Sequence, residues 1–209
     1  MSPGAADLSG PEHACLELAW EALCRGSLPV GAVVVDAAGT VVATGRNRVF
    51  EAAAAAPEIA GTRLAHAEVN ALARLGPQRR YEDHHLIVTL EPCPLCMGAL
   101  VMSTVGRLTY LGADPYAGAT TVLGPTPYTA RLPVLITGPR GDRVGRFAAG
   151  LHVAFYLRRG PAGQVVSVHR ELRPDLGEAG EALVRAGLFE LAARALPWSQ
   201  VAPELLAAV

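Results

Sequence analysis

Apolar positions recur at helical spacing between residues 12 and 25, where Leu16, Ala19, Trp20 and Leu23 share one face and Gly26 ends the pattern. The period then changes. Val30, Val33, Val34 and Val35 belong to a continuous apolar run, residues 36–39 interrupt it with turn-forming types, and Val41, Val42 and Ala43 begin a second run. This predicts two strands joined as a hairpin. Residues 48–63 contain five consecutive alanines and Pro57 without a core-facing period, and read as an irregular, partly helical insertion. A helix is predicted over 66–75, closed by Gly76 and Pro77, and a short apolar strand over 85–90. Pro92 ends that strand, and Pro94 opens the next helix in its first turn.

Two more strands are predicted over 107–111 and 132–137, then a helix over 142–159 between Gly141 and Gly160. Helices and strands in this order favour a mixed sheet covered on both faces. The expected architecture is a three-layer α/β/α fold on a five-stranded mixed sheet, occupying residues 1–160 of an α/β domain. Residues 161–209 form a C-terminal extension, with a short strand predicted at 165–169 and a helix over 178–196 that Pro197 stops. The extension is expected to pack on the domain or to lie at an oligomer interface.

Composition narrows the chemistry. Of the 209 residues 51% are hydrophobic and 18% charged, which fits a globular chain, and the net charge of −1 offers no global attraction for nucleic acid. All 18 basic residues are arginine. Chemistry that needs a lysine, such as a pyridoxal Schiff base or the phosphate-gripping lysine of a P-loop, is therefore excluded. The apolar runs fall far short of the roughly 20 residues that span a bilayer. Residues 1–7 lack a basic region followed by an apolar core, so no secretory signal and a reducing, cytoplasmic setting are expected. In that setting four cysteines argue for metal or redox chemistry before disulfides.

The chemistry concentrates in His66, Ala67 and Glu68 and in the run from Glu91 through Cys93 to Cys96. One imidazole and two thiolates suit Zn²⁺, and three protein ligands leave one coordination position for water. Cys93 and Cys96, three apart in a first helical turn, can grip one ion, and His66 at the start of its own helix can reach the same point. The partial positive charge of two helix starts favours thiolate and a deprotonated water, and Glu68 beside that water can move its proton to a ring nitrogen and then to a departing amine. Hydrolytic loss of ammonia from an amidine-like carbon is the predicted reaction.

His-x-Glu followed by Pro-Cys-x-x-Cys closely resembles the zinc-dependent cytidine deaminase superfamily. Residues 29–35, 45–48, 66–72 and 89–100 are similar to the branch that contains bacterial tRNA adenosine deaminases and guanine deaminases, and the resemblance covers about residues 12–160. It implies a cytidine deaminase-like fold, His66, Cys93 and Cys96 as zinc ligands, and Glu68 as proton shuttle. It also implies that Asn47 hydrogen-bonds the substrate, that Val30 lines the base pocket, that the backbone amide of Ala67 faces the reacting ring, and that the enzyme is a homodimer or larger. The expected substrate is a free nucleobase or nucleoside, a purine such as guanine or a cytosine type, with tRNA adenosine as the alternative. The insertion at 48–63 and the loop at 112–118 depart from the family pattern in length. Asp114 in that loop either reads the amidine face of a purine or initiates a turn before Pro115.

Readings of another class remain. A Cys-x-x-Cys after a strand and opening a helix also builds a thiol-disulfide redox site, and a structural zinc site needs a fourth ligand from Cys15, Cys24, His84 or His85. Cys15 and Cys24 otherwise read as small buried hydrophobes. His13, His84, His85, His152 and His169 have no companions in sequence and read as surface or satisfied core histidines.

Overall fold

The computed structural model describes residues 8–122, 124 and 126–209. Residues 1–7, read above as lacking a signal segment, lie outside the described residues. Helix α1 (Gly10–Cys24) begins at Ser9, whose hydroxyl accepts from the Glu12 amide while the Glu12 carboxylate takes the Ser9 amide, a reciprocal cap. Strands β1 (Gly31–Val35) and β2 (Val41–Arg46) form the expected hairpin, followed by α2 (Ala67–Leu72), β3 (His85–Leu90), α3 (Pro94–Met102), β4 (Arg107–Gly112) and β5 (Leu135–Thr137). A single sheet runs in the order β2, β1, β3, β4, β5. It is antiparallel from β2 to β3 and parallel from β3 to β5, hence mixed.

Alternation along the strands sets the layers. Ala32 and Val34 of β1 join Leu86 and Val88 of β3 against Ala71 of α2 and Met97 and Leu100 of α3. Val33 and Val35 point the other way, with Ile87, onto Cys15 of α1. Leu111 of β4 extends that second layer to Phe147 and Leu151 of α4 (Arg143–Arg159). At Gly45 on β2 a Cβ would come within 2.4 Å of the Ala67 carbonyl oxygen and the Ala71 nitrogen. Only glycine lets α2 lie this close to the sheet.

Several expectations change in the C-terminal segment. Residues 165–169 are not a strand but part of helix α5 (Gln164–Leu172). The valine-rich run has strand propensity, yet Val165, Val166 and His169 are buried while Ser167 is exposed, a pattern that fits one face of a helix and not alternation. The helix expected over 178–196 is two, α6 (Pro174–Arg185) and α7 (Leu188–Ala193), parted at Gly187, whose φ of +77° a continuous right-handed helix does not accommodate. A further helix, α8 (Trp198–Ala207), follows Pro197. Leu183, Leu188, Trp198 and Leu205 are buried in the same apolar cluster as Leu16, Trp20 and Phe147. Gly180 allows α6 to cross α4 closely, since a Cβ there would stand 2.6 Å from Val153.

Residues 48–63 form no helix or strand, so the partly helical expectation fails there. Charge and hydrogen bonds hold the segment instead. Arg46 pairs with Glu51 and Glu21, Arg48 with Glu51 and Glu58, and the Asn70 side chain both accepts from the Ile59 amide and donates to the Ile59 carbonyl. The fifth strand is shorter than expected, starting at Leu135. No helix among the described residues is long and apolar enough to cross a membrane.

Candidate metal centre and cleft

Two helix starts meet where the sequence pattern puts them. His66 precedes α2 and Cys93 precedes α3, each with extended backbone, and Pro94 occupies the first turn of α3. The Cys93 and Cys96 sulfurs lie 3.5 Å apart, and His66 Nδ1 stands 3.5 Å from Cys93 Sγ and 3.4 Å from Cys96 Sγ. Tetrahedral zinc with its usual Zn–S and Zn–N bonds needs ligand-to-ligand edges of about 3.5–3.8 Å, so the triangle fits that ion. Among the described residues no other group of three such donors gathers within 4.8 Å. A fourth protein ligand is absent from the group, which disfavours the structural-zinc reading.

The protons in this cluster make the same point. The Cys93 thiol is lowered to about 4, chiefly because Cys96 donates to it, with His66 adding and burial opposing. Cys96, the donor, is pushed up by that bond, by burial and by the negative charge of Glu68. His66 is raised by its hydrogen bond to Cys93. Two thiols sharing one proton beside an imidazole form a donor set that a divalent cation completes. Glu68, 4% exposed, is raised by burial, with the nearby His66 charge acting against it.

The triangle opens onto a cleft of about 620 Å³ lined by His66, Glu68 and Cys93. Val30, Asn47 and Asp114 line the same cleft. Asn47 Oδ1 accepts from the Val49 amide at 3.1 Å and the Ser27 hydroxyl at 3.2 Å, so its amide nitrogen is the end left for a ligand. Asp114 does start a turn, its Oδ1 accepting from the Tyr116 and Ala117 amides at 2.9 and 3.1 Å. The turn expected at Asp114 is therefore present, in a residue that also lines the cleft. Ala67 is fully buried and its side chain belongs to the core between α2 and the sheet; it is not among the cleft-lining residues, although its amide, at the start of α2, has no acceptor within the helix.

The structure adds residues that the sequence did not assign to the base pocket. His152 and Tyr156 on α4, Val165 on α5, and the arginines Arg63 and Arg159 also line the cleft. His152 packs edge-on to Tyr156 with ring centres 5.0 Å apart, and its ring lies beside that of His169. The four-residue spacings of His152 with Tyr156 and of Val165 with His169 were the only available signal, and it becomes visible only once 165–169 is read as helix. Cys15 and Cys24 stay far from metal duty: Cys15 is buried with its thiol 3.0 Å from the Ile87 carbonyl.

The family model for the cytidine and deoxycytidylate deaminase zinc-binding region matches residues 11–112. Over 108 residues the chain is 32% identical to the tRNA-specific adenosine deaminase of Rickettsia felis, covering 50% of this chain and 69% of that one. The chain belongs to the cytidine and deoxycytidylate deaminase family. It is also 42% identical over 116 residues to a tRNA(Ile)-lysidine synthase of Deinococcus radiodurans, a match covering 52% of this chain but only 19% of that protein's length. In structure it is similar to the guanine deaminase of Nitrosomonas europaea, with a TM-score of 0.51 at 21% identity, over 70% of this chain and 84% of that one, a likeness of fold.

Proposed function

We propose that the chain is a hydrolytic deaminase that converts an amino-bearing carbon of a nucleobase ring to a carbonyl and releases ammonia. The reading rests on one observation: the His66, Cys93 and Cys96 triangle, with Glu68 buried beside it, opens onto a cleft that also contains the Asp114 carboxylate. Zinc held by His66, Cys93 and Cys96 supplies, when bound, an open coordination position that acidifies water at neutral pH.

The remaining steps belong to side chains of the chain. Glu68 accepts a proton from the attacking water and delivers it to the neighbouring ring nitrogen. It then passes a second proton to the amino group as the carbon–nitrogen bond breaks, so that water oxygen becomes the new carbonyl and nitrogen leaves as ammonia. Burial suits Glu68 to this shuttle, because a carboxyl raised from its ordinary value holds a proton more firmly between taking it up and returning it. Asn47 donates from its amide nitrogen to an acceptor on the ring. Val30, with Leu28 and Leu90, gives the base apolar walls.

The substrate we favour is a free base or nucleoside, a purine such as guanine or a cytosine-type pyrimidine. Two backbone amides hold Asp114 Oδ1 in the pocket wall, and the edge of a small base brings an N–H donor to the other oxygen. A second reading, tRNA adenosine, is favoured by the tRNA-specific relative and by Arg63 and Arg159, which line the cleft without an acidic partner among the described residues. Ammonia release from zinc-loaded protein, measured across guanine, adenine, cytosine, their nucleosides and an unmodified tRNA transcript with Glu68→Ala as blank, tests both. Turnover of one small molecule supports the first reading, turnover of tRNA alone replaces it with the second, and silence throughout removes the deaminase proposal.

A further inference from the structure

Asp114, His152 and His169 come from the loop after β4, from α4 and from α5, and meet in the dry wall of the cleft. Asp114 is 5% exposed, His152 6% and His169 fully buried. His152 Nε2 lies 4.0 Å from Asp114 Oδ2, and His169 Nε2 lies 3.9 Å from Asp114 Oδ1. The three do not form a second metal site, since their ligand atoms do not gather within 4.8 Å of one another. None of them takes part in the proton shuttle assigned to Glu68.

Hydrogen-bond arithmetic defines what the cluster lacks. His169 Nδ1 is 2.8 Å from the Val165 carbonyl, which can only accept, so Nδ1 carries the proton. Its Nε2 faces the Asp114 carboxylate at 3.9 Å and makes no hydrogen bond among the described residues. His152 Nδ1 is also unpartnered and buried. Asp114 Oδ1 is occupied by two backbone amides, whereas Oδ2 faces His152. One oxygen of Asp114 is thus held by the backbone, and the other, Oδ2, takes no hydrogen bond from the described residues. Buried acceptors left in this state cost stability until a donor reaches them.

We propose that His152 and His169 are positioning residues that hold Asp114 as a specificity-determining carboxylate for a base carrying an N–H donor in addition to the amino group it loses, which makes α5 part of the recognition wall. The proposal rests on the deaminase reading above. It explains why the C-terminal segment reaches the cleft: Val165 lines it, the Tyr116 hydroxyl lies 3.2 Å from Gln164 Oε1, and His169 backs the carboxylate one turn further along α5. The His152 ring packs edge-on to Tyr156 and brings Nε2 to 4.0 Å from Asp114 Oδ2, so α4 backs the carboxylate from its other side.

The test compares wild type, His169→Gln, His169→Ala and His152→Gln for ammonia release from guanine, with cytosine and a tRNA transcript alongside, recording zinc content and melting temperature for each protein. His169→Ala is expected to raise KM for guanine about tenfold while kcat stays within about twofold and zinc is retained. His169→Gln, whose amide can still donate to the Val165 carbonyl, is expected to recover most of the loss. Unchanged KM in folded, zinc-loaded His169→Gln and His152→Gln together with unchanged base preference overturns the proposal, and so does a uniform fall in kcat that tracks lost zinc or lost stability. If wild type releases ammonia from the tRNA transcript and from no free base, the recognition carboxylate is misassigned and the proposal falls with it. If wild type releases none from any of them, the deaminase reading itself has failed, before any histidine is changed.

Discussion

The two walls of the cleft are built in opposite ways. At one, His66, Cys93 and Cys96 sit at the starts of two helices, and each comes with local chemistry that announces it: a His-x-Glu pair, a Cys-x-x-Cys pair, a proline in the first turn. At the other, Asp114, His152 and His169 are drawn from three separate elements and only tertiary packing brings them together. The first wall has a set of donors that one cation satisfies. The second has a carboxylate with one oxygen, Asp114 Oδ2, that no group among the described residues hydrogen-bonds. We read the first as the place where bonds change and the second as the place where the base is chosen, so substitutions at the two should separate chemistry from recognition.

The largest effect should come from dividing the first wall. Cys93→Ala removes a ligand, and we expect zinc content and turnover to vanish together. Glu68→Ala leaves the triangle intact, and we expect zinc to stay near one equivalent while kcat falls by at least about 10²-fold. Metal analysis beside ammonia assays reads both. Equal loss of zinc in the two proteins would mean that Glu68 is a ligand or a structural support and not a proton carrier.

The second wall depends on the packing of α4, α5 and α6, and that dependence can be broken at a distance. Leu183 on α6 is fully buried in the cluster shared with α1 and α4. Leu183→Ala should cost about 3 kcal/mol, from lost transfer energy and the cavity left behind. Val184→Ala next to it, on the exposed side of the same helix, should cost well under about 1 kcal/mol. Chemical denaturation of the two variants checks this, and equal small losses would mean that the C-terminal helices are an appendage and not part of the core.

This contrast also decides how much could be read in advance. The mixed sheet and the metal triangle follow from local rules of spacing and ligand type, so His66, Cys93 and Cys96 are legible one segment at a time. Asn47 and Val30 are legible through the resemblance, and the structure puts both in the cleft. His152 and His169 are not legible, because nothing within a few residues of either names a partner. The misreading of 165–169 as a strand hides His169 twice over, since strand alternation aims it without reference to Val165. Residues 48–63 resist reading for a different reason: ion pairs of Arg46, Arg48 and Glu58 and the amide of Asn70 hold them, and such contacts leave no apolar period.

The most direct probe of the second wall asks for the charge of one histidine. Burial lowers His152 from its ordinary 6.5 to about 4, with the Asp114 charge acting against that shift. Between those values the unfolded chain binds a proton at this residue that the native protein does not, so stability rises with pH through the window and falls as pH drops from about 6.5 to about 4. Glu12, Glu51 and Asp142, whose carboxyls are held low, add their acid losses below the ordinary carboxyl range, so the two windows separate. Groups raised in the native state, Glu68 among them, act with the opposite sign but equally in wild type and variant. His152→Gln cannot titrate and should flatten the curve of melting temperature against pH between 6.5 and 4, by an amount on the order of 3 kcal/mol across the window. Parallel curves would mean that His152 is charged in the native protein, and an imidazolium 4.0 Å from Asp114 Oδ2 would then compete with a ligand N–H for that oxygen.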